Sequence, residues 1–350
     1  MAGSSSRRRK KIFGTPSPNR RRIPLSILVL ALVIALLALI RPATYVPEFN
    51  PANVQLPTAS AFPSPLPAPT DIHGGHIVFT CTRKDTNQIC MIAPDGSGFQ
   101  QLTQGTTNSY YPAISGNGKD IVFAVNRYDE FDLFRLALDV NDGVRQTRSR
   151  SKQLTDNLGN TFSPSFSPDG GQIAFLNRVD DAPAAIWIME ANGQEPRKLY
   201  GGTGTIVALA WSPDGRQMAF NMAVGSSFAY DVFLLDVQNP TANPVQVSRG
   251  LNEIGGSISW SPDGKDLLLF AGPAAAREIY SLRISDGAIT QLSHGGNNAS
   301  PAYSPDGQSI VFNSLRNGGQ ADLFIMRADG HSTRQLTDFP EPDWQPQWGR

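Results

Sequence analysis

The chain has 350 residues, with 30 Lys and Arg against 30 Asp and Glu, so its formal net charge is zero. No global field exists to gather nucleic acid or an acidic partner, and such positive charge as there is lies in local runs. Two cysteines and four histidines leave few residues for metal or acid–base chemistry.

At the N-terminus, Arg7 to Lys11 and Arg20 to Arg22 precede Ile23 to Ile40, eighteen residues without a charge. At ~1.5 Å per helical residue that run covers about 27 Å, enough to cross a thin hydrocarbon core. The expectation is a transmembrane signal anchor over 23–40, single-pass, in the cell membrane. The positive-inside rule makes 1–22 a basic cytoplasmic tail and the rest extracytoplasmic. A cleaved signal peptide is the competing reading, but no Ala-x-Ala site follows the apolar run. Residues 41–75 read as a proline-rich linker: eight prolines fall between 42 and 70, interleaved with Ala, Ser and Thr. Such a segment cannot build a core and favours an extended spacer, with a reach of roughly 90 Å at ~3.1 Å per residue.

From residue 76 the composition changes to regular strand punctuation. Ser-Pro-Asp-Gly occurs at Ser167 to Gly170, Ser212 to Gly215, Ser261 to Gly264 and Ser304 to Gly307, with a degraded copy at Ser115 to Gly118. The glycines are 52, 45, 49 and 43 residues apart, the spacing of one four-stranded propeller blade per repeat. An apolar strand follows each copy, a second follows about ten residues later, and a third carries Gln-Leu-Thr or Gln-Leu-Ser at Gln101, Gln153, Gln291 and Gln335. His76 to Thr103 holds three strands with no such turn before them, and Pro346 to Arg350 matches the missing one. The predicted fold is therefore all-β: a six-bladed β-propeller of four-stranded antiparallel blades over 76–350, closed by the C-terminal strand completing blade one.

The stretches Ser163 to Gly170, Leu209 to Gly215, Ile258 to Gly264 and Pro301 to Gly307 resemble the TolB-like, WD40-like (PD40) repeats of bacterial propellers. The resemblance covers 76–350, and residues 41–75 are too short for the α/β domain that precedes the propeller in TolB. It implies a bacterial envelope protein that binds a protein or peptide partner as a monomeric propeller.

No catalytic constellation stands out. No Gly-x-Ser-x-Gly elbow is present, and the histidines lie at the linker junction or beside turns. The expectation is a non-catalytic binding or scaffolding module with no cofactor, metal or nucleic acid. The alternative is a carbohydrate-binding or hydrolytic propeller with its site at the channel mouth. Asp169, Asp214, Asp263 and Asp306 recur in the turns and read as structural caps. Trp211, Trp260, Tyr303 and Trp348 recur just before the turns and read as packing between blades. Cys81 and Cys90 fall on neighbouring strands and are either a cross-strand disulfide or buried thiols. The binding surface is expected at the end opposite the turns, carried by Asn108, Tyr110, Arg127, Phe162, Arg178, Asn298, Arg316 and Trp344. Arg83, Arg127 and Arg178 each have an Asp two residues later, so local pairing within turns competes with that reading.

Overall fold

The computed structural model describes residues 74–349 except 128–129, 142–143, 148–150, 203, 224–229 and 242. The basic tail, the expected membrane helix at 23–40 and the linker up to residue 73 lie outside the described residues. No helix occurs among the described residues; all regular structure there is β.

The strands form six antiparallel sheets. Blade 1 runs, from the axis outward, Asp343–Gly349, His76–Arg83, Thr86–Ile92 and Gln100–Gln101, so the last strand of the chain is its innermost. Blades 2 to 6 begin at the axis with Ser109–Ile114, Asn160–Phe166, Ile206–Trp211, Ser259–Trp260 and Asn298–Tyr303 and wind outward in sequence order. The six inner strands neighbour one another cyclically, that of blade 1 touching those of blades 2 and 6. In blade 2 the third strand, Glu130–Asn141, continues past its sheet and pairs with Val144–Thr147.

The second strand of each blade is apolar on both sides because a neighbouring blade covers each face. Ile77 to Cys81, Ile121 to Val125 and Ile173 to Asn177 are five-residue buried runs. The core clusters accordingly straddle blades. Trp211 packs with Leu176 and Ile188 of blade 3, and Trp348 with Val311 and Ile325 of blade 6.

Each Ser-Pro-Asp-Gly joins the first strand to the second. The Asp carboxylate accepts the Ser hydroxyl at 2.6 Å in Asp169, Asp214 and Asp306 and at 2.7 Å in Asp263. It also accepts the backbone N–H two residues on, from Gly171, Arg216, Lys265 and Gln308. These bonds favour the charged form: the Ser167 and Ser212 hydroxyls hold Asp169 and Asp214 below the usual carboxylate range. Lys265 above all, then Ser261, brings Asp263 down to about 2. A disulfide joins Cys81 to Cys90, both fully buried, across the hairpin of the second and third strands of blade 1.

Candidate channel-mouth site

Four inner strands share a local distortion. Tyr111, Ser163, Ser300 and Gln345 have φ between 49° and 53°, and each precedes a proline: Pro112, Pro164, Pro301 and Pro346. At each, the ladder slips so that two residues face one on the second strand. The residue faced is Phe123, Phe175, Phe312 or Phe79, none more than 1% exposed. A left-handed conformation is unfavourable for these residue types, and a β-bulge over a large buried ring supplies the constraint that holds it. Proline brings no N–H to be orphaned by the broken ladder. The bulge sets Tyr111, Ser163, Ser300 and Gln345 on the channel wall.

Blades 4 and 5 lack this proline and present Ala208, Leu209, Gly256, Ser257 and Ile258 instead. The wall is therefore asymmetric around the axis. The throat is a cavity of about 80 Å³ lined by all six blades. At the end where inner strands begin it opens into a mouth of about 560 Å³, which shares Tyr111, Gly256, Ser300 and Gln345 with the throat. At the turn end it opens into a funnel of about 290 Å³ lined by Phe166, Trp211, Trp260, Tyr303 and Trp348.

A run of aromatic rings leads up to the mouth, and two of them, Tyr111 and Phe162, line it. Trp344 of blade 1 lies 6.5 Å from Tyr110 of blade 2, and Tyr110 lies 5.7 Å from Phe131 and 6.1 Å from Tyr111. Tyr111 and Phe131 lie 6.4 and 6.5 Å from Phe162 of blade 3. All five rings are half-buried and form an unbroken arc across three blades. Burial raises the pKa of the Tyr111 phenol. The mouth is lined besides by Val207, Gly256, Ser300 and Phe270, with Arg178 and Asp181.

The eight residues expected at this end divide by their partners. Tyr110, Phe162 and Trp344 belong to the arc, and Arg178 is exposed on the rim. Asn108 instead links blades, its Oδ1 accepting the Asn87 N–H at 2.9 Å. Asn298 is fully buried, its amide donating to Glu278, Ser293 and Gly295 and its carbonyl accepting from Arg316 at 3.0 Å. With every polar group engaged inside the ring, it is wall rather than surface. Arg316 lies over the rings of Phe324 and Phe312, and burial lowers its pKa. Arg127 lies over Phe134 and donates to Gln153. Arg83 bonds Asp343 rather than the nearby Asp85.

Tyr111, Phe131 and Phe270 were not singled out in the sequence. The signal for Tyr111 was its place before a proline in the inner strand. Among the described residues no group of His, Cys, Asp and Glu side chains is placed to hold a metal ion.

Residues 229–350, from the third strand of blade 4 to the closing strand, match the profile of the TolB beta propeller domain, PD40. The propeller is TolB-like. A 92-residue stretch is 37% identical to the Tol-Pal system protein TolB of Anaeromyxobacter dehalogenans, covering 26% of this chain and 21% of that one. Over 189 residues the chain is 34% identical to the "Uncharacterized protein Atu1656" of Agrobacterium fabrum, 53% of this chain and 60% of that one. It thus spans less than two thirds of either relative. The crystal structure of TolB from Acinetobacter baumannii superimposes with a TM-score of 0.65 at 20% identity, covering 79% of this chain and 66% of that one. At that identity the match speaks for the TolB-like fold alone.

Proposed function

We propose that this TolB-like propeller is a non-catalytic, extracytoplasmic binding module of the bacterial envelope, held at the membrane by residues 23–40, and that it takes a protein partner at the channel mouth. The observation that carries this reading is the arc of Trp344, Tyr110, Tyr111, Phe131 and Phe162. Half-buried aromatic side chains on a rigid scaffold bring large contact area at low entropic cost, the composition of interface anchors. The mouth cavity, about 560 Å³, is large enough for an anchoring side chain. The throat, about 80 Å³, has room for a few waters only, so a ligand seats in the mouth and does not pass through.

The test is capture from an envelope extract with Tyr110, Phe162 and Trp344 replaced by Ala, beside a control with Gln172, Arg216 and Lys265 replaced by Ala at the opposite end. A protein retained by wild type and control and lost from the mouth variant is the expected result. Loss with the control alone would overturn the assignment of the mouth. Retention of a glycan in place of a protein would favour the carbohydrate-binding alternative.

A further inference from the structure

We propose that the ring is latched by a proton held between the buried carboxyl groups of Asp322 and Asp343, and that its loss to water at rising pH loosens the closing strand and, through it, the wall of the mouth. The latch is independent of what binds at the mouth.

One four-residue cluster occurs twice, where blade 5 meets blade 6 and where blade 6 meets blade 1. In the first, Asn298 lies three residues before Pro301; its amide donates to Glu278 and Ser293, and its carbonyl accepts from Arg316 at 3.0 Å. In the second, Asp343 lies three residues before Pro346, with Asp322 in the place of Glu278, Thr337 in that of Ser293 and Arg83 in that of Arg316. The backbone repeats too. Asn298 and Asp343 donate their N–H groups to the carbonyls of Arg277 and Ala321, each the residue just before the acid.

The second cluster is one donor short. Asp343 Oδ1 accepts from Arg83 at 3.1 Å, as the Asn298 carbonyl does from Arg316, so Asp343 Oδ2 falls where Asn298 carries its NH2. An ionised carboxyl has no hydrogen to give. Asp343 Oδ2 and Asp322 Oδ1 accordingly both lack a hydrogen-bond partner among the described residues, in side chains belonging to residues no more than 4% exposed. A single proton on Asp343 restores the missing donor and removes the repulsion of two buried charges. On the other proline-bearing inner strands this position is Ser109 or Thr161, a hydroxyl donor, so acid meets acid only at the seam.

Burial raises the pKa of both acids. Asp343 rises to about 6, with Arg83 opposing and Asp322 adding to the shift; Asp338 raises Asp322 further and Gln320 opposes. The remaining charged groups on the packed elements are engaged or distant: Glu341 accepts the Lys84 N–H, Arg327 pairs with Asp329, and His76 stands opposite Gly349 at the far end of the strand. Blade 2 presents Tyr110 and Tyr111.

The mouth is joined to this latch through consecutive residues. After Asp343 come Trp344 of the aromatic arc and Gln345, whose Oε1 accepts the Tyr111 N–H at 3.2 Å and the Thr80 hydroxyl at 2.9 Å. A strand that loosens at Asp343 releases both.

The test is hydrogen exchange of the full chain in detergent at pH 5 and pH 8, corrected for the intrinsic pH dependence of exchange. A carboxyl titrating at about 6 in the closed ring and at 3.8 once opened weakens closure about tenfold between those pH values, because a raised pKa stabilises the closed form below it and not above. The expected result is that loss of protection over Asp343–Gly349 and at Tyr111, with the inner strand Asn298–Tyr303 unchanged as reference. Asp343→Asn supplies the donor that Asn298 supplies and should abolish the difference; Asp322→Asn should do the same and serves if the first variant does not fold. Equal protection of the wild-type closing strand at both pH values, or a loss that persists in a folded variant, would overturn the latch. A Tyr111 amide indifferent to a loosened closing strand would overturn its coupling to the mouth.

Discussion

Arg83 and Asp343, 260 positions apart in the chain, meet at 3.1 Å across the seam where the last strand joins the first blade. The Asp343 side chain is fully buried, and the Arg83 guanidinium lies over the touching rings of Phe99 and Phe339. Burial pushes the Asp343 carboxyl up to about 6, against the opposing pull of Arg83. Folding therefore raises its pKa above the ordinary 3.8. The native state holds the proton more tightly, so this group's contribution is most favourable below about pH 4 and is lost as pH rises to about 6. Arg83→Met leaves a buried carboxylate without its cation and is expected to cost about 3–5 kcal/mol at pH 8. The cost should shrink at pH 5, where Asp343 can take up a proton. Calorimetry at the two pH values checks this, and an equal loss at both would show that Arg83 acts by packing alone.

The closing strand pairs with His76–Arg83 and places Trp348, 8% exposed, against blade 6. A chain ending at Asp343 is expected to lose several kcal/mol, as for removal of a buried aromatic together with its strand. Urea unfolding of this truncation against the full chain measures the difference. An unchanged midpoint would mean that the ring does not depend on its seam.

Adjacent glycines at the mouth should behave oppositely. A Cβ at Gly255 would fall 1.9 Å from the Phe270 ring, while at Gly256 its nearest neighbour would be 3.8 Å away on Val207. Gly255→Ala is expected to cost about 1–3 kcal/mol through overpacking. Gly256→Ala should stay within about 0.5 kcal/mol of wild type by the same unfolding measurement.

Asp214→Ala removes the acceptor for the Ser212 hydroxyl and the Arg216 N–H and is expected to cost about 1 kcal/mol. Because the Ser212 hydroxyl, its largest perturbation, holds the Asp214 pKa below 3.8, the carboxylate's contribution is present above that pH and is lost as pH falls through the lowered value. Wild type and variant should therefore converge in acid, which melting curves between pH 7 and about pH 2 would show.

The blade count and the split first blade were legible because Ser-Pro-Asp-Gly and the strand after it recur in register, and each copy obeys the same turn chemistry. The site was legible only in part. Tyr110, Phe162 and Trp344 lie on the inner strands one residue before the bulge, whereas Asn298 and Arg316 are drawn into the walls. Polarity in a sequence suggests a surface, whereas here Glu278, Ser293 and the rings of Phe312 and Phe324 absorb it between blades. The turn of Tyr111, Ser163, Ser300 and Gln345 into the channel was hidden because the residue before a proline ordinarily stays extended. Only the bulge over a buried phenylalanine makes the left-handed alternative tolerable.

The split of blade 1 also sets an order of events during synthesis. Its three outer strands are complete by Gln101, but the partner of His76–Arg83 begins at Asp343. At ~5–20 residues per second the interval lasts on the order of 10 to 50 s. Throughout it an apolar strand edge stands open to any other chain carrying a matching strand, so the nascent protein is most exposed to mispairing at its earliest-made blade. Closure joins residues at the widest sequence separation in the fold, and we expect it to be the slow step of folding and the one most dependent on a chaperone.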